Sequence, residues 1–134
     1  LWGRGFAPAP LCCKKSFERN YVNMDCLFCK IVAGEIPSKK AYEDDQILAF
    51  HDIAPIAPVH ILIVPKKHIN RANELTEADA ALVGHIFAVA ANLAREYGVA
   101  DGFRILTNNG ESAGQTVSHL HFHLIGGRKL GEMA

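Results

Sequence analysis

The segment at positions 119–125, H-L-H-F-H-L-I, constrains this chain more than any other. Polar and apolar residues alternate in it without a break, as they do in a strand with one face in a hydrophobic core. Leucine and phenylalanine side chains at 120, 122 and 124 would stabilise the strand by their burial. The opposite face would carry His119, His121 and His123 in a row. The alternative is a solvent-exposed face that happens to be rich in histidine, and we favour a functional site.

The spacing of these histidines limits what they can do together. A strand rises about 3.3 Å per residue, so the backbones of His119 and His123 would lie ~13 Å apart, whereas Zn–N bonds are only about 2.1 Å long. Neighbouring histidines would be ~6.6 Å apart, so two of them can share an ion or a phosphate. We therefore expect the three imidazoles to have different roles.

Imidazole chemistry suits phosphoryl or nucleotidyl transfer. Because the unperturbed pKa of histidine is about 6.5, one ring can be an uncharged nucleophile near neutral pH while a neighbouring ring acts as an acid. A covalent bond from a histidine nitrogen to phosphorus would divide the displacement into two easier steps. The segment 108–116, N-N-G-E-S-A-G-Q-T, agrees with this, because its glycines let the backbone approach an anion. Alone, such a glycine-rich turn between strands is common.

The remaining patterns predict an α+β sandwich. A short amphipathic helix is predicted over 27–33, and a long one begins at a capping box formed by Thr76 and Asp79 and ends before Gly98. Strands are predicted in five segments: K-A-Y-E-D, I-L-A-F-H-D, H-I-L-I-V-P, D-G-F-R-I-L-T-N-N and T-V-S-H-L-H-F-H-L-I-G-G. This order favours a mostly antiparallel sheet with the helices packed on one face.

Length and charge exclude several classes of protein. The 134 residues suffice for one domain. Since 14 basic and 14 acidic residues balance, we do not expect an extended nucleic acid as a partner. No apolar run approaches the ~20 residues that cross a bilayer, so no membrane span is predicted. Residues 1–23 mix glycine, proline and basic residues and have no apolar h-region, so we expect a disordered tail there and the folded domain over 24–134.

The four cysteines do not resemble a secreted disulfide framework. Cys12 and Cys13 are adjacent, and Cys26 and Cys29 form a C-x-x-C pair. We therefore expect a cytoplasmic protein, in which such a pair binds metal or performs redox chemistry. A thioredoxin-like role is disfavoured because no predicted strand precedes Cys26. A metal would need further ligands.

With these residues the chain resembles the histidine triad (HIT) superfamily, whose signature is His-x-His-x-His followed by two apolar residues. The motifs E-I-P at 35–37, A-F-H-D-I at 49–53, V-P-K-K-H-I at 64–69 and G-G-R at 126–128 are similar to its HINT branch. The resemblance covers about residues 25–130. It implies a HIT-like fold, a five-stranded mostly antiparallel sheet with one long and one short helix. It also implies a homodimer in which two such sheets join into a ten-stranded one.

The resemblance implies hydrolysis of purine nucleoside phosphoramidates or related adenylated compounds. The product would be a nucleoside monophosphate such as AMP or GMP, released through a nucleotidyl-histidine intermediate without a catalytic cofactor. By the resemblance, His121 is the nucleophile, His123 contacts phosphate oxygens and Thr116 lies near the leaving group.

The resemblance also implies the residues that bind the nucleotide. The phosphate would be oriented by Asn108, Gly114 and Gln115. Asp52 would accept hydrogen bonds from the ribose hydroxyls. The base pocket would be lined by Phe28, Ile31, Ile36, Phe50, His51 and Ile53. Each apolar member of this set could equally be an ordinary core residue.

A structural zinc site is implied as well, because some bacterial HIT proteins bind zinc through a C-x-x-C pair and two histidines. The ligands here would be Cys26, Cys29, His60 and His119. Four such ligands satisfy a closed tetrahedral site and would give the first triad histidine a role of its own. The alternative is a reduced cysteine pair without metal.

Other functions remain open from the sequence. One is a dinucleoside polyphosphate hydrolase of the same superfamily, and another is a metal-dependent hydrolase with an open catalytic site. A third is a nucleotide-binding regulatory module with little turnover. The C-terminal K-L-G-E-M-A differs from the longer aromatic and proline-containing C-terminus of eukaryotic members, which leaves the preferred leaving amine open.

Overall fold

The computed structural model describes residues 26–133, so the predicted tail at 1–23 lies outside the described residues. The strands are β1 (Lys40–Glu43), β2 (Ile47–His51), β3 (Val59–Pro65), β4 (Phe103–Leu106) and β5 (Phe122–Gly126). The helices are α1 (Leu27–Val32) and α2 (Ala80–Glu96). The strands form one sheet in the order β1-β2-β3-β5-β4, and every neighbouring pair is antiparallel. The predicted α+β class with a five-stranded antiparallel sheet is confirmed.

The two helices pack on opposite faces of the sheet, so the prediction of helices on one face was wrong. Helix α2 covers one set of strand residues that includes Ile61, Ile63 and Leu124. Helix α1 packs against the alternate set that includes Leu62 and Val64. Consecutive strand residues point to opposite faces, and β3 is apolar on both. The unbroken run I-L-I-V was the sign of a strand buried on both sides.

Helix α2 begins as its sequence predicts. The Thr76 hydroxyl accepts a hydrogen bond from the Ala78 amide, and the Asp79 carboxylate accepts one from the Thr76 amide. This capping box opens a single 3-10 turn that continues into α2. Residues 77–96 are the one described stretch long and apolar enough for a membrane span. Its apolar residues Leu82, Ile86, Val89 and Leu93 are buried in the sheet core, as in the core helix of a folded domain.

The histidine-rich strand is shorter than predicted. Strand β5 begins at Phe122, so His119 and His121 precede it. The ladder with β3 pairs Ile63 with Phe122, and its continuation would place Leu120 opposite Pro65, which has no amide hydrogen. The Leu120 amide instead donates to the Ile69 carbonyl at 2.6 Å. The predicted alternation of side chains nevertheless persists, because Leu120, Phe122 and Leu124 all lie in the core beneath α2.

Candidate functional site

A cavity of about 280 Å³ opens on the α1 face of the sheet. The apolar side chains of α1, β2 and β3 form its floor. All the residues expected around the base and ribose line it: Phe28, Ile31, Ile36, Phe50, His51, Asp52 and Ile53. Ile53 is fully exposed at the rim, whereas Phe28 and Phe50 are buried and their rings meet edge to face. An apolar cavity with one carboxylate at its edge can hold an aromatic ring joined to a polar group.

Two residues at the mouth of the cavity are oriented by their neighbours. Asp52 accepts a hydrogen bond from the Ala54 amide through Oδ1, and its Oδ2 lies 3.4 Å from His60 Nε2. The His51 ring lies 3.1 Å from the Tyr97 hydroxyl at the end of α2. His51 therefore borders the cavity while its ring nitrogen is engaged outside it.

The hydrogen bonds of His121 fix which ring nitrogen can react. Its Nδ1 lies 2.7 Å from the His119 carbonyl oxygen, which can only accept, so Nδ1 carries the proton. The lone pair of the neutral ring is therefore on Nε2. Burial lowers the pKa of His121, so the ring is uncharged at neutral pH. The Phe28 ring contacts it edge to face at 4.9 Å between centroids. His121 has the properties of a nitrogen nucleophile.

A chain of hydrogen bonds assigns the opposite role to His123. The Ile56 amide donates to His60 Nδ1 at 3.2 Å, so the proton of His60 is on Nε2. That Nε2 lies 2.9 Å from His123 Nδ1 and donates to it. The proton of His123 is consequently on its own Nε2. Among the described residues, this buried Nε2 has no hydrogen-bond partner. This N–H group can therefore donate to an acceptor on a ligand. The centroids of the His123 and His121 rings are 5.1 Å apart.

The same hydrogen bonds argue against a metal at Asp52, His60 and His123, although their ligand atoms lie within 4.8 Å of one another. A metal at His60 Nε2 would require the proton to move to Nδ1. There it would face the hydrogen of the Ile56 amide. We therefore interpret these residues as a hydrogen-bond network that fixes which nitrogen of His60 and of His123 carries the proton, and not as a metal centre.

The pKa of His123 predicts how stability depends on pH. Burial, with the nearby His121 and His60, lowers this pKa to about 4. The unfolded chain, with a histidine pKa of about 6.5, then binds more protons between these two values, so the free energy of unfolding falls as the pH is lowered from 6.5 towards 4. Urea unfolding of the protein and of the His123→Asn variant at several pH values tests this. The variant should show a shallower fall, and equal slopes would contradict the assignment.

The predicted metal site needs one correction. His60 lies at the start of β3 and bonds to His123, whereas His119 bonds to Pro65 at the end of that strand, ~17 Å further along. His60 therefore cannot share a ligand set with His119. The ligand atoms of Cys26, Cys29, His68 and His119 all lie within 4.8 Å of one another. Three members of this cluster, Cys26, Cys29 and His119, were expected from the sequence, whereas His68 was not.

The cluster fits a tetrahedral zinc ion. His119 donates from Nε2 to the Pro65 carbonyl at 2.8 Å, and His68 donates from Nε2 to the Asn70 amide oxygen at 2.8 Å. Both rings therefore turn an unprotonated Nδ1 towards the sulfurs, as zinc requires. The Sγ to Nδ1 distances are 3.2, 3.4 and 3.5 Å. Ligands on one tetrahedral zinc are about 3.6 Å apart, as Zn–S and Zn–N bond lengths dictate.

The glycine-rich loop is held by its own glutamine. Gln115 accepts from the Gly110 amide and donates to the carbonyls of Asn70 and Val117. Its amide group is thus engaged within the protein, and we assign it to holding the loop. Gly110 and Gly114 have φ of +93° and +95°, a conformation that favours glycine.

Other predicted loop residues lie around this turn. Asn108 packs beside Gly114, within 4.0 Å of the position of a Cβ there. Thr116 and Gln115 border a second, polar cleft of about 560 Å³ that also includes Asn70, Arg71 and Glu111. The structure therefore gathers the predicted loop residues around this turn, and Thr116 borders the polar cleft.

Two residues of the site were missed by the sequence analysis. His68 lies in the quoted motif V-P-K-K-H-I, so its position was noted but no role was given to it. The Ile56 amide, which orders the protons of His60 and His123, contributes only backbone and leaves no side-chain signal.

The sequence of this chain matches a known family model and the sequences of known proteins. The family model described as "HIT domain" matches residues 33–130. An uncharacterized HIT-like protein of Synechocystis is 48% identical over 104 residues, which is 78% of this chain and 91% of that protein.

Solved structures agree with the sequence comparison. A HIT family hydrolase from Legionella pneumophila is 47% identical with a TM-score of 0.78, covering 79% of this chain and 96% of that one. A histidine triad protein from Clostridium difficile is 48% identical with a TM-score of 0.80, covering 84% of this chain and 98% of that one.

Proposed function

Because this chain belongs to the HIT domain family, we propose that it hydrolyses purine nucleoside phosphoramidates or related adenylated compounds to a nucleoside monophosphate. One observation carries the proposal. A buried, uncharged His121 with its lone pair on Nε2 lies beside the Nε2–H of His123, which has no partner within residues 26–133. Together they offer a nucleophile for phosphorus and a donor for a phosphate oxygen.

The proposed reaction has two displacements at one phosphorus atom. His121 Nε2 attacks the α-phosphorus, and the bond from phosphorus to the leaving amine breaks. The Nδ1–H of His121, bonded to the His119 carbonyl, stabilises the positive charge that develops on the ring. His123 donates to a non-bridging oxygen. Water then attacks phosphorus and displaces His121. Over the whole reaction, the hydroxyl group of the water ends on phosphorus and the other hydrogen of the water ends on the amine.

The cavity and the cluster have separate parts in this proposal. The cavity beside Phe28 and Phe50 takes the purine base, and Asp52 accepts from the ribose hydroxyls. Zinc at Cys26, Cys29, His68 and His119 has a structural role, and no step of the reaction is assigned to it. When bound, zinc would supply a cross-link between α1, the segment after β3 and the segment before β5.

A homodimer and a cytoplasmic location also belong to the proposal. Phe87 on α2, whose ring also contacts Phe122, and Phe103 on edge strand β4 are partly exposed aromatic side chains. A second copy of the chain could cover both, and pairing of two β4 edges would give the ten-stranded sheet.

The direct test measures AMP release from adenosine phosphoramidate and from diadenosine polyphosphates, with and without a chelator. Release from the phosphoramidate supports the proposal. Release only from the polyphosphates would favour the dinucleoside polyphosphate hydrolase, and AMP binding without release would favour a regulatory module. Immediate loss of activity on chelation, with full AMP binding retained, would favour a metal-dependent hydrolase.

Replacing Asp52 by asparagine tests the ribose contact. The amide keeps an oxygen for the Ala54 amide but offers a donor where Oδ2 was an acceptor. We expect the Kd for AMP to rise about 10-fold, the value of one hydrogen bond to a charged group. Calorimetry with 2′,3′-dideoxy-AMP is the control, because this nucleotide has no ribose hydroxyls to lose. An equal loss of affinity for both nucleotides would contradict the assignment.

A further inference from the structure

We propose that the cluster of Cys26, Cys29, His68 and His119, when it holds its metal, positions the nucleophile. The metal would hold the peptide unit between His119 and Leu120, whose carbonyl decides which nitrogen of His121 carries the proton. Cys26, Cys29 and His68 would then be positioning residues for the reaction. This inference builds on the proposed function.

The peptide unit between His119 and Leu120 is bonded on both sides. Its carbonyl accepts from His121 Nδ1 at 2.7 Å. Its amide donates to the Ile69 carbonyl at 2.6 Å. Because a peptide group is planar and rigid, these two bonds depend on one orientation. A rotation of this unit would release the Ile69 carbonyl and the Nδ1–H of His121 together.

Two cluster residues lie directly at this peptide unit. His119 supplies the carbonyl of the unit. His68 precedes Ile69, whose carbonyl accepts the hydrogen bond from the Leu120 amide of the unit. A metal that joins Nδ1 of both rings would therefore hold the two bonded segments together. The bond from His119 Nε2 to the Pro65 carbonyl fixes the other side of that ring.

The ladder bonds of the sheet do not hold the peptide unit between His119 and Leu120. Strand β5 begins at Phe122, so the ladder bonds to β3 start after the nucleophile. Before Phe122, the His119 amide donates to the Val117 carbonyl and the Leu120 amide donates to the Ile69 carbonyl. The Thr107 hydroxyl donates to the His121 carbonyl at 2.7 Å. A metal cross-link would add to these bonds a direct connection from the segment that carries His121 to α1 and to His68.

Helix α1 adds a second connection from the cluster to the nucleophile. Cys26 and Cys29 lie on either side of Phe28, whose ring meets His119 at 6.0 Å and His121 at 4.9 Å between centroids. The Cys26 sulfur also accepts from the Cys29 amide at the start of the helix. Anchoring the two sulfurs thus holds the ring that packs against the nucleophile.

The test compares the full-length protein with the His68→Ala and Cys29→Ser variants. Bound metal is counted by elemental analysis, the His121 tautomer is read from nitrogen-15 NMR, and the exchange rate of the Leu120 amide is measured. In the variants we expect loss of the metal, a mixture of His121 tautomers and faster Leu120 exchange. On adenosine phosphoramidate, kcat should fall about 10-fold to 100-fold with KM little changed, as for lost supporting ligands.

Val89→Ala is the matched control, because Val89 lies on α2 and is buried in the core on the other face of the sheet. It should lower stability while leaving the metal, the tautomer and Leu120 exchange as they were. Loss of metal with an unchanged tautomer and unchanged Leu120 exchange would overturn the inference.

If a variant does not fold, the wild-type protein treated with a chelator answers the question. Faster exchange at Leu120 than in α2 supports a local clamp, and equally faster exchange throughout contradicts it. The tautomer and exchange measurements need no substrate. A wild-type protein without turnover would therefore refute the proposed function and leave this test intact.

Discussion

Replacement of His121 by asparagine is expected to lower kcat by about 10⁴-fold or more, as loss of a covalent nucleophile does in other enzymes. Asparagine places an amide nitrogen near the position of Nδ1 and can still donate to the His119 carbonyl, but it has no lone pair in place of Nε2. Because the cavity residues are unchanged, the Kd for AMP should change by less than about 3-fold, within the range of an ordinary surface contact. Initial rates of AMP release and calorimetry with AMP give the two values.

His85→Asn is the control for this experiment, since His85 lies on α2 and pairs with Asp44 away from the cavity. Its kcat should equal that of the unmodified protein. Quenched reactions with a labelled nucleotide add a second measurement, because only a protein with His121 should retain label on histidine. Turnover in His121→Asn above about 1% of the wild-type value would show that another group attacks phosphorus.

The strongest sequence prediction concerned side chains and not backbone pairing. Alternation predicted that Leu120, Phe122 and Leu124 would enter the core and that the histidines would face away, and the structure confirms this. Alternation requires only an extended backbone. The start of β5 depends on the partner strand, where Pro65 lacks the amide hydrogen that would extend the ladder. A pattern within one segment cannot contain that information.

The identity of the fourth cluster residue, His68, also depends on contacts between segments that the sequence pattern does not contain. His60 and His68 both lie near β3 in the sequence, and either could complete a Cys26 and Cys29 set by count alone. Which of them meets His119 is decided by the position of His119 beside Pro65, at the opposite end of β3 from His60. The His119 ring also meets its other partner, the Pro65 carbonyl, only through folding, and the His68 ring bonds to the Asn70 side-chain amide in the same way.

Removal of the metal is expected to lower the melting temperature by roughly 10 °C or more. A ligand present at about 1,000 times its Kd stabilises the folded state by ~4 kcal/mol, and each kcal/mol shifts the melting temperature of a domain of this size by about 3–5 °C. The shift follows because the four ligands join α1 to the segments before β5 and after β3. Thermal unfolding with and without a chelator, together with elemental analysis for zinc, gives both quantities.

The pair His68→Ala and His60→Ala decides which histidine is the ligand. His68→Ala should lose the zinc and become insensitive to the chelator, since three ligands bind structural zinc far more weakly than four. His60→Ala should retain one zinc per chain and the full chelator effect, because His60 bonds to His123 and not to the cluster. Retention of zinc in His68→Ala with its loss in His60→Ala would restore the ligand set expected from the sequence. Such a result would require β3 to be displaced along its length by several residues, and the pairing of His60 with Ile125 would then have to be broken as well.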